Sequence, residues 1–82
     1  MITNEQIQQA LYSIEEPTEL TIRETLNGLL NENEMSDCHS NGIFNPNTNL
    51  FEGVIVKDGE GGPIFHFTYD WDGDEYIPLI GE

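Results

Sequence analysis

The chain has 82 residues, with sixteen acidic side chains against two basic ones, Arg23 and Lys57, for a formal net charge of −14. That balance repels both a nucleic-acid backbone and an anionic bilayer, so direct DNA or RNA binding and membrane-surface binding are excluded as expectations. The length leaves room for one domain with a small core, and a single cysteine, Cys38, rules out an internal disulfide.

The first segment reads as a helix over residues 3–15. Thr3 is a natural N-cap and Gln6 completes a capping box, while Ile2 and Ile7 form a hydrophobic staple. Ile7, Ala10, Leu11 and Ile14 recur at helical spacing along one face. Glu15-Glu16-Pro17 ends the pattern, because a residue before proline is pushed out of helical dihedrals. Met1 to Ala10 carries no basic region and no apolar run, so no signal peptide is expected. With no disulfide staple, a cytoplasmic setting is expected.

A second helix is expected over residues 20–32, with Thr21 and Glu24 as its capping box and Ile22, Leu26, Leu29 and Leu30 as its apolar stripe. Gly28 inside that stripe suggests close approach of another element. Residues 33–41 are polar and read as a loop. The β region then comprises a short strand at 42–45, a turn at Pro46-Asn47-Thr48-Asn49, a strand at 50–57, a hairpin loop at 58–62, a strand at 63–71 and a closing strand at 74–80. Asp72-Gly73 is a two-residue type I′ turn signal. The expected fold is therefore α+β, with two N-terminal helices packed on one face of a three- to four-stranded antiparallel β-meander.

The turn sets a register in which Asp70 faces Glu75, Tyr69 faces Tyr76, Phe67 faces Pro78 and Phe65 faces Ile80. Phe65, Phe67, Tyr69, Tyr76, Pro78 and Ile80 then share a core face with Phe51 and Ile55. Pro78 lacks a donor, which makes the last strand an edge. The other face mixes Val54, Val56, Ile64, Ile77 and Leu79 with Glu52, His66, Thr68, Asp70 and Glu75, more apolar than solubility requires. Cover from the N-terminal part or the 33–41 loop, a partner, or a homodimer seam would each account for it.

The densest chemical feature is Tyr69-Asp70-Trp71-Asp72-Gly73-Asp74-Glu75-Tyr76. Its four acids, with Trp71, form the candidate partner-binding tip; Glu52, Asp58 and Glu60 are further candidates, and Glu32 and Glu34 belong to a second acidic group along the helical half. Alternate strand positions lie ~6.5–7 Å apart, close to the phosphate spacing of a nucleic-acid strand. Asp70, Asp72 and Asp74 are hard oxygen ligands, but glycine stands fourth rather than sixth and Gly81 occupies the twelfth position, so the EF-hand pattern fails. Cys38, His39 and His66 lack zinc spacing, and Gly59-Glu60-Gly61-Gly62 carries no phosphate-loop lysine. No metal, no cofactor and no catalytic residue is expected, and the chain is read as a non-enzyme.

In size, acidity and lack of catalytic groups the chain is similar to the small acidic inhibitors that phages make against host nucleic-acid enzymes, anti-CRISPR proteins and other DNA mimics. That resemblance implies a basic partner, a CRISPR effector, restriction enzyme or other nucleic-acid-binding protein, whose channel is occluded. The alternative is a cytosolic adaptor or immunity-type protein that binds a basic partner through the apolar sheet face, with Trp71 and Tyr69 as anchors.

Overall fold

Thr3 caps the first helix as its sequence predicts. Its hydroxyl accepts the Gln6 amide at 3.2 Å, and the Gln6 side chain accepts the Thr3 amide at 2.9 Å. The computed structural model describes residues 2–59 and 63–80. In it α1 spans Asn4–Tyr12, ending short of residue 15. Ser13 stops it: its hydroxyl donates back to the Ala10 carbonyl at 2.6 Å, a local bond that competes with the next helical turn. Ile2 and Ile7, the staple pair, are both buried.

The second helix, α2 (Glu19–Glu32), is capped by Thr18 rather than Thr21. The Thr18 hydroxyl accepts the Thr21 amide at 3.1 Å and the Thr21 hydroxyl accepts the Thr18 amide at 2.7 Å. Thr21 thus does at the third helical position what Glu or Gln usually does, and Glu24 has no part in the cap. Ile22, Leu26 and Leu30 are buried. Gly28 does not admit a neighbour: a Cβ there would meet no atom within 4 Å. Gly28→Ala is therefore expected to stabilise the fold by about 0.5–1 kcal/mol, the helix-propensity difference, read as a higher urea midpoint at unchanged slope.

Four antiparallel strands follow in the order β1-β2-β3-β4: β1 (Cys38–Asn45), β2 (Leu50–Lys57), β3 (Pro63–Asp70) and β4 (Glu75–Ile80). The fold is α+β, with both helices on one face of the sheet. β1 is twice the length expected, and four of the nine residues of the anticipated 33–41 loop are strand. Its inward residue Ser40 is polar yet buried, because its hydroxyl lies 3.0 Å from the Arg23 carbonyl and 3.1 Å from Asn27 Oδ1. Hydrogen bonding to α2 replaces the apolar contact that a sequence pattern would reveal.

The outer edge of β1 is closed. The Cys38 amide donates to the Met35 carbonyl, Ser40 to Asn27 Oδ1, Gly42 to its neighbour Asn41 Oδ1, and Phe44 to Glu19 Oε2 at 2.6 Å. Such capping removes the unpaired amides on which a foreign strand would grow. At the other edge, β4 contains Pro78, as expected of an edge strand.

The register pairs Asp70 with Glu75, Tyr69 with Tyr76 and Phe67 with Pro78, as read from the sequence. Phe51, Ile55, Phe65, Phe67, Tyr69 and Tyr76 are buried with the helical stripes in one core. Two bulges alter the rest. A shift after Phe67 aligns Ile80 with His66 instead of Phe65 and leaves Leu79 as the extra residue. The Ile80 side chain lies outside the described residues, and Pro78 is exposed rather than part of the core. A second shift, between Ile55 and Val56, makes Ile64 the extra residue. Ile64 consequently turns to the helical side, where it packs against the core and lines a hollow with Met35, Cys38 and Lys57.

Tyr69 and Tyr76 close the core beneath α1. The Tyr69 hydroxyl donates toward the Leu11 carbonyl and Asp74 Oδ1, and that of Tyr76 donates to Asn4 Oδ1. Burial first, then the Asp74 carboxylate, pushes the Tyr69 phenol up to about 12, and burial alone does the same for Tyr76. In an unfolded chain both ionise near 10. Between those values the unfolded state has released protons that the folded state still holds. Stability is therefore full below pH 10 and falls as pH rises through 12, by about 1.4 kcal/mol per unit for each phenol. Thermal melts from pH 9 to 12, followed beside tyrosinate absorbance, check this; a flat melting temperature would contradict it.

No described helix is long and apolar enough to cross a membrane.

Candidate partner-binding surface

The β3–β4 connection carries the acidic tip. It is a four-residue loop, Trp71 to Asp74, rather than a two-residue type I′ turn. A type I′ turn needs positive φ at both central residues, whereas here Asp74 alone takes it, at 56°. The cause is Asp70. Its Oδ1 accepts the amides of Asp72 and Gly73, each at 3.1 Å, and folds the loop around a carboxylate. Gly73 makes room for this, since a Cβ there would stand 2.8 Å from Asp70 Oδ2.

Repulsion between the facing pair Asp70 and Glu75 is thereby relieved, because Asp70 spends its charge on loop amides. Asp74 is engaged by the Tyr69 hydroxyl at 3.4 Å. Asp72 and Glu75 are exposed and make no described hydrogen bond through their side chains. Trp71 does not stand out from the tip. It is half-buried, its ring 5.1 Å from that of Phe44 and 6.2 Å from that of Phe51, and it pins the loop to the helical side of the sheet. Tyr69 is 2% exposed and offers no anchor to a partner.

The remaining candidates divide between the two ends of the sheet. Glu52 lies on β2 near the tip, on the open face, where its Oε2 accepts from Asn45 Nδ2 at 2.9 Å. Asp58 sits at the far end, its Oδ1 2.9 Å from His39 Nδ1. Glu32 and Glu34 are exposed at the C-terminal end of α2, and Glu34 borders the hollow that holds Lys57. Strands of eight residues separate these ends by about 25 Å. Glu60 lies outside the described residues. Of the described sheet candidates only Glu52 therefore lies beside the tip, while Asp58 lies at the end where Glu32 and Glu34 of the helical group stand.

Twelve of the fourteen described acidic residues are exposed, and Glu52 and Asp70 are half-buried. Among the described residues only Asp37, 3.9 Å from Lys57, and Asp58, beside His39, stand within ion-pair distance of a lysine, arginine or histidine. The charge is thus displayed rather than neutralised.

The open face of the sheet was only partly legible in sequence. His39, Asn41 and Ile43 belong to it, because β1 pairs them with Val56, Val54 and Glu52. Ile43 is 64% exposed. No described element lies over this face, so neither the N-terminal part nor residues 33–41 covers it. Cys38, by contrast, is buried on the helical side, and burial, with Asp37 adding to it, raises its thiol pKa. It is held as an unreactive thiol.

Comparison with protein families, with curated proteins and with solved structures finds no match to this chain.

Proposed function

We propose that this chain is a small acidic inhibitor that binds a basic nucleic-acid-binding protein and blocks its DNA or RNA channel. The supporting observation is the tip: a loop folded around Asp70 and pinned by Trp71, presenting Asp72 and Glu75 to solvent without a described cation beside them. A rigid array of carboxylates can occupy a groove shaped for phosphates at little ordering cost. Long-range attraction would speed its encounter with a basic groove, and salt would slow it. The mechanism is occlusion and needs no catalytic group of this chain.

The test is competition. Proteins captured on the immobilised chain from a nuclease-treated bacterial lysate are assayed for DNA or RNA binding as free chain is added. Release of nucleic acid supports the reading; captured proteins with no nucleic-acid affinity would overturn it. Asp70 and Asp74 hold the loop, so charge reversal belongs at Asp72 and Glu75. Asp72→Lys with Glu75→Lys is expected to weaken inhibition by about tenfold or more, chiefly through the association rate.

A second reading, an adaptor or immunity-type protein, draws on the exposed Ile43 and Ile77 beside half-buried Val54 and Val56. Val54→Asp would abolish that binding and spare occlusion by the tip. Ile64, turned to the helical side, is unsuited to the test.

A further inference from the structure

We infer that a hollow on the open sheet face receives a cationic side chain, an arginine or lysine flanked by apolar residues, from the surface of the protein partner. The inference rests on the proposed function and names what a basic partner would insert beside the tip. The hollow measures about 250 Å³ and is lined by Asn41, Ile43, Glu52, Val54 and His66, with the backbone of Gly42 and Gly53 as its floor. It is smaller than the ~300–1,000 Å³ of small-molecule sites and open on one side, so it suits one side chain rather than a metabolite.

Its chemistry is that of a long cation. Ile43 and Val54 supply apolar walls for an aliphatic stem, and Glu52 supplies the charge at the end. Among the described residues Glu52 Oε1 accepts no hydrogen bond, while Oε2 is held by Asn45. The carboxylate is thus oriented, half-buried and still has an oxygen to give, conditions under which an ion pair is screened less than on open surface. Asp70 and Glu75 lie on the same face, and no described lysine or arginine does. Arg23 belongs to α2, and Lys57 pairs with Cys38 on the helical side. The face therefore complements an apolar surface studded with cations.

Two other occupants fit less well. A second copy would set Glu52, Asp70 and Glu75 against their like with no described lysine or arginine between them, and would double a charge of −14. A strand added beside β1 would find its outward amides already taken by Met35, Asn27, Asn41 and Glu19.

The full chain, labelled with ¹⁵N, would be titrated at low salt with the peptide acetyl-Leu-Arg-Leu-Arg-Leu-amide. Amide shifts concentrated at Gly42, Ile43, Glu52, Gly53 and Val54 are expected. Glu52→Gln, which keeps an oxygen for Asn45, should weaken binding about three- to tenfold, and the Leu-Gln-Leu-Gln-Leu peptide should leave those amides unmoved. Shifts confined to Asp72–Glu75, unchanged affinity in Glu52→Gln, or a dimer in sedimentation that the peptide does not dissociate would each overturn the inference. The first of these leaves channel occlusion standing. Conversely, captured partners that bind no nucleic acid would end the occlusion reading and leave the hollow's affinity for the peptide intact.

Discussion

Gly53→Ala is expected to remove a large share of the protein's stability, although it adds one methyl group. Gly53 pairs with Gly42 across β2 and β1; the Phe51 ring rests against both, and the Phe67 ring against Gly53. A Cβ at position 53 would stand 2.3 Å from Phe67 Cζ and 2.8 Å from Phe51 Cε2. Contacts that short force the ring aside, and both rings are almost wholly buried among the helical residues. Overpacking of a close core costs typically 1–3 kcal/mol, and two displaced aromatics point to about 3. A domain of this length has about 4–12 kcal/mol in total at ~0.05–0.15 per residue, so the loss is a large share. Urea denaturation of Gly53→Ala would show a lower midpoint at unchanged slope. Phe67→Leu in the same chain should recover part of it, since the clash is with the ring. A midpoint shift worth under about 0.5 kcal/mol would mean the rings do not rest on the glycine pair.

That glycine pair also shows where the sequence is legible and where it is not. The core side of β2 and β3 was readable because aromatic and branched residues alternate there with period two, from Phe51 to Ile55 and Phe65 to Tyr69, whereas among the described side chains only Tyr76 of the β4 residues expected in the core is buried. The helices were readable from their stripes, although the cap of α2 was not. Thr18 and Thr21 are chemically alike, and which one caps depends on where the chain leaves Pro17. The first half of β1 was hidden because its inward Ser40 is anchored by hydrogen bonds and gives no apolar signal at its own position, and the ring of Phe51 that covers Gly42 in the second half comes from another strand. The bulges were hidden for a related reason: a one-residue insertion changes no composition, yet it moved Ile64 across the sheet. At the candidate site the acids were legible and their division of labour was not. Only coordinates separate Asp70 and Asp74, which hold the loop, from Asp72 and Glu75, which face water.

Raising the salt concentration is expected to stabilise the free protein strongly, by several kcal/mol between 0.01 M and 1 M sodium chloride. The molecule measures 31 × 23 × 23 Å. At 0.01 M the Debye length is about 30 Å, so each exposed carboxylate repels the others across the whole body. At 1 M it is about 3 Å, and only immediate neighbours interact. An expanded chain spreads the same −14 over a larger volume, so repulsion weighs against the folded state and fades with screening. The expected record is a melting temperature that climbs with sodium chloride, most steeply below 0.1 M. Association with a basic partner must show the opposite trend, since the same screening weakens attraction between unlike charges. These two slopes, opposite in sign and measured on one protein, separate an acidic surface kept for binding from one neutralised within the fold. A melting temperature independent of salt would show that the carboxylates are compensated, and the electrostatic basis of the occlusion reading would fail with it.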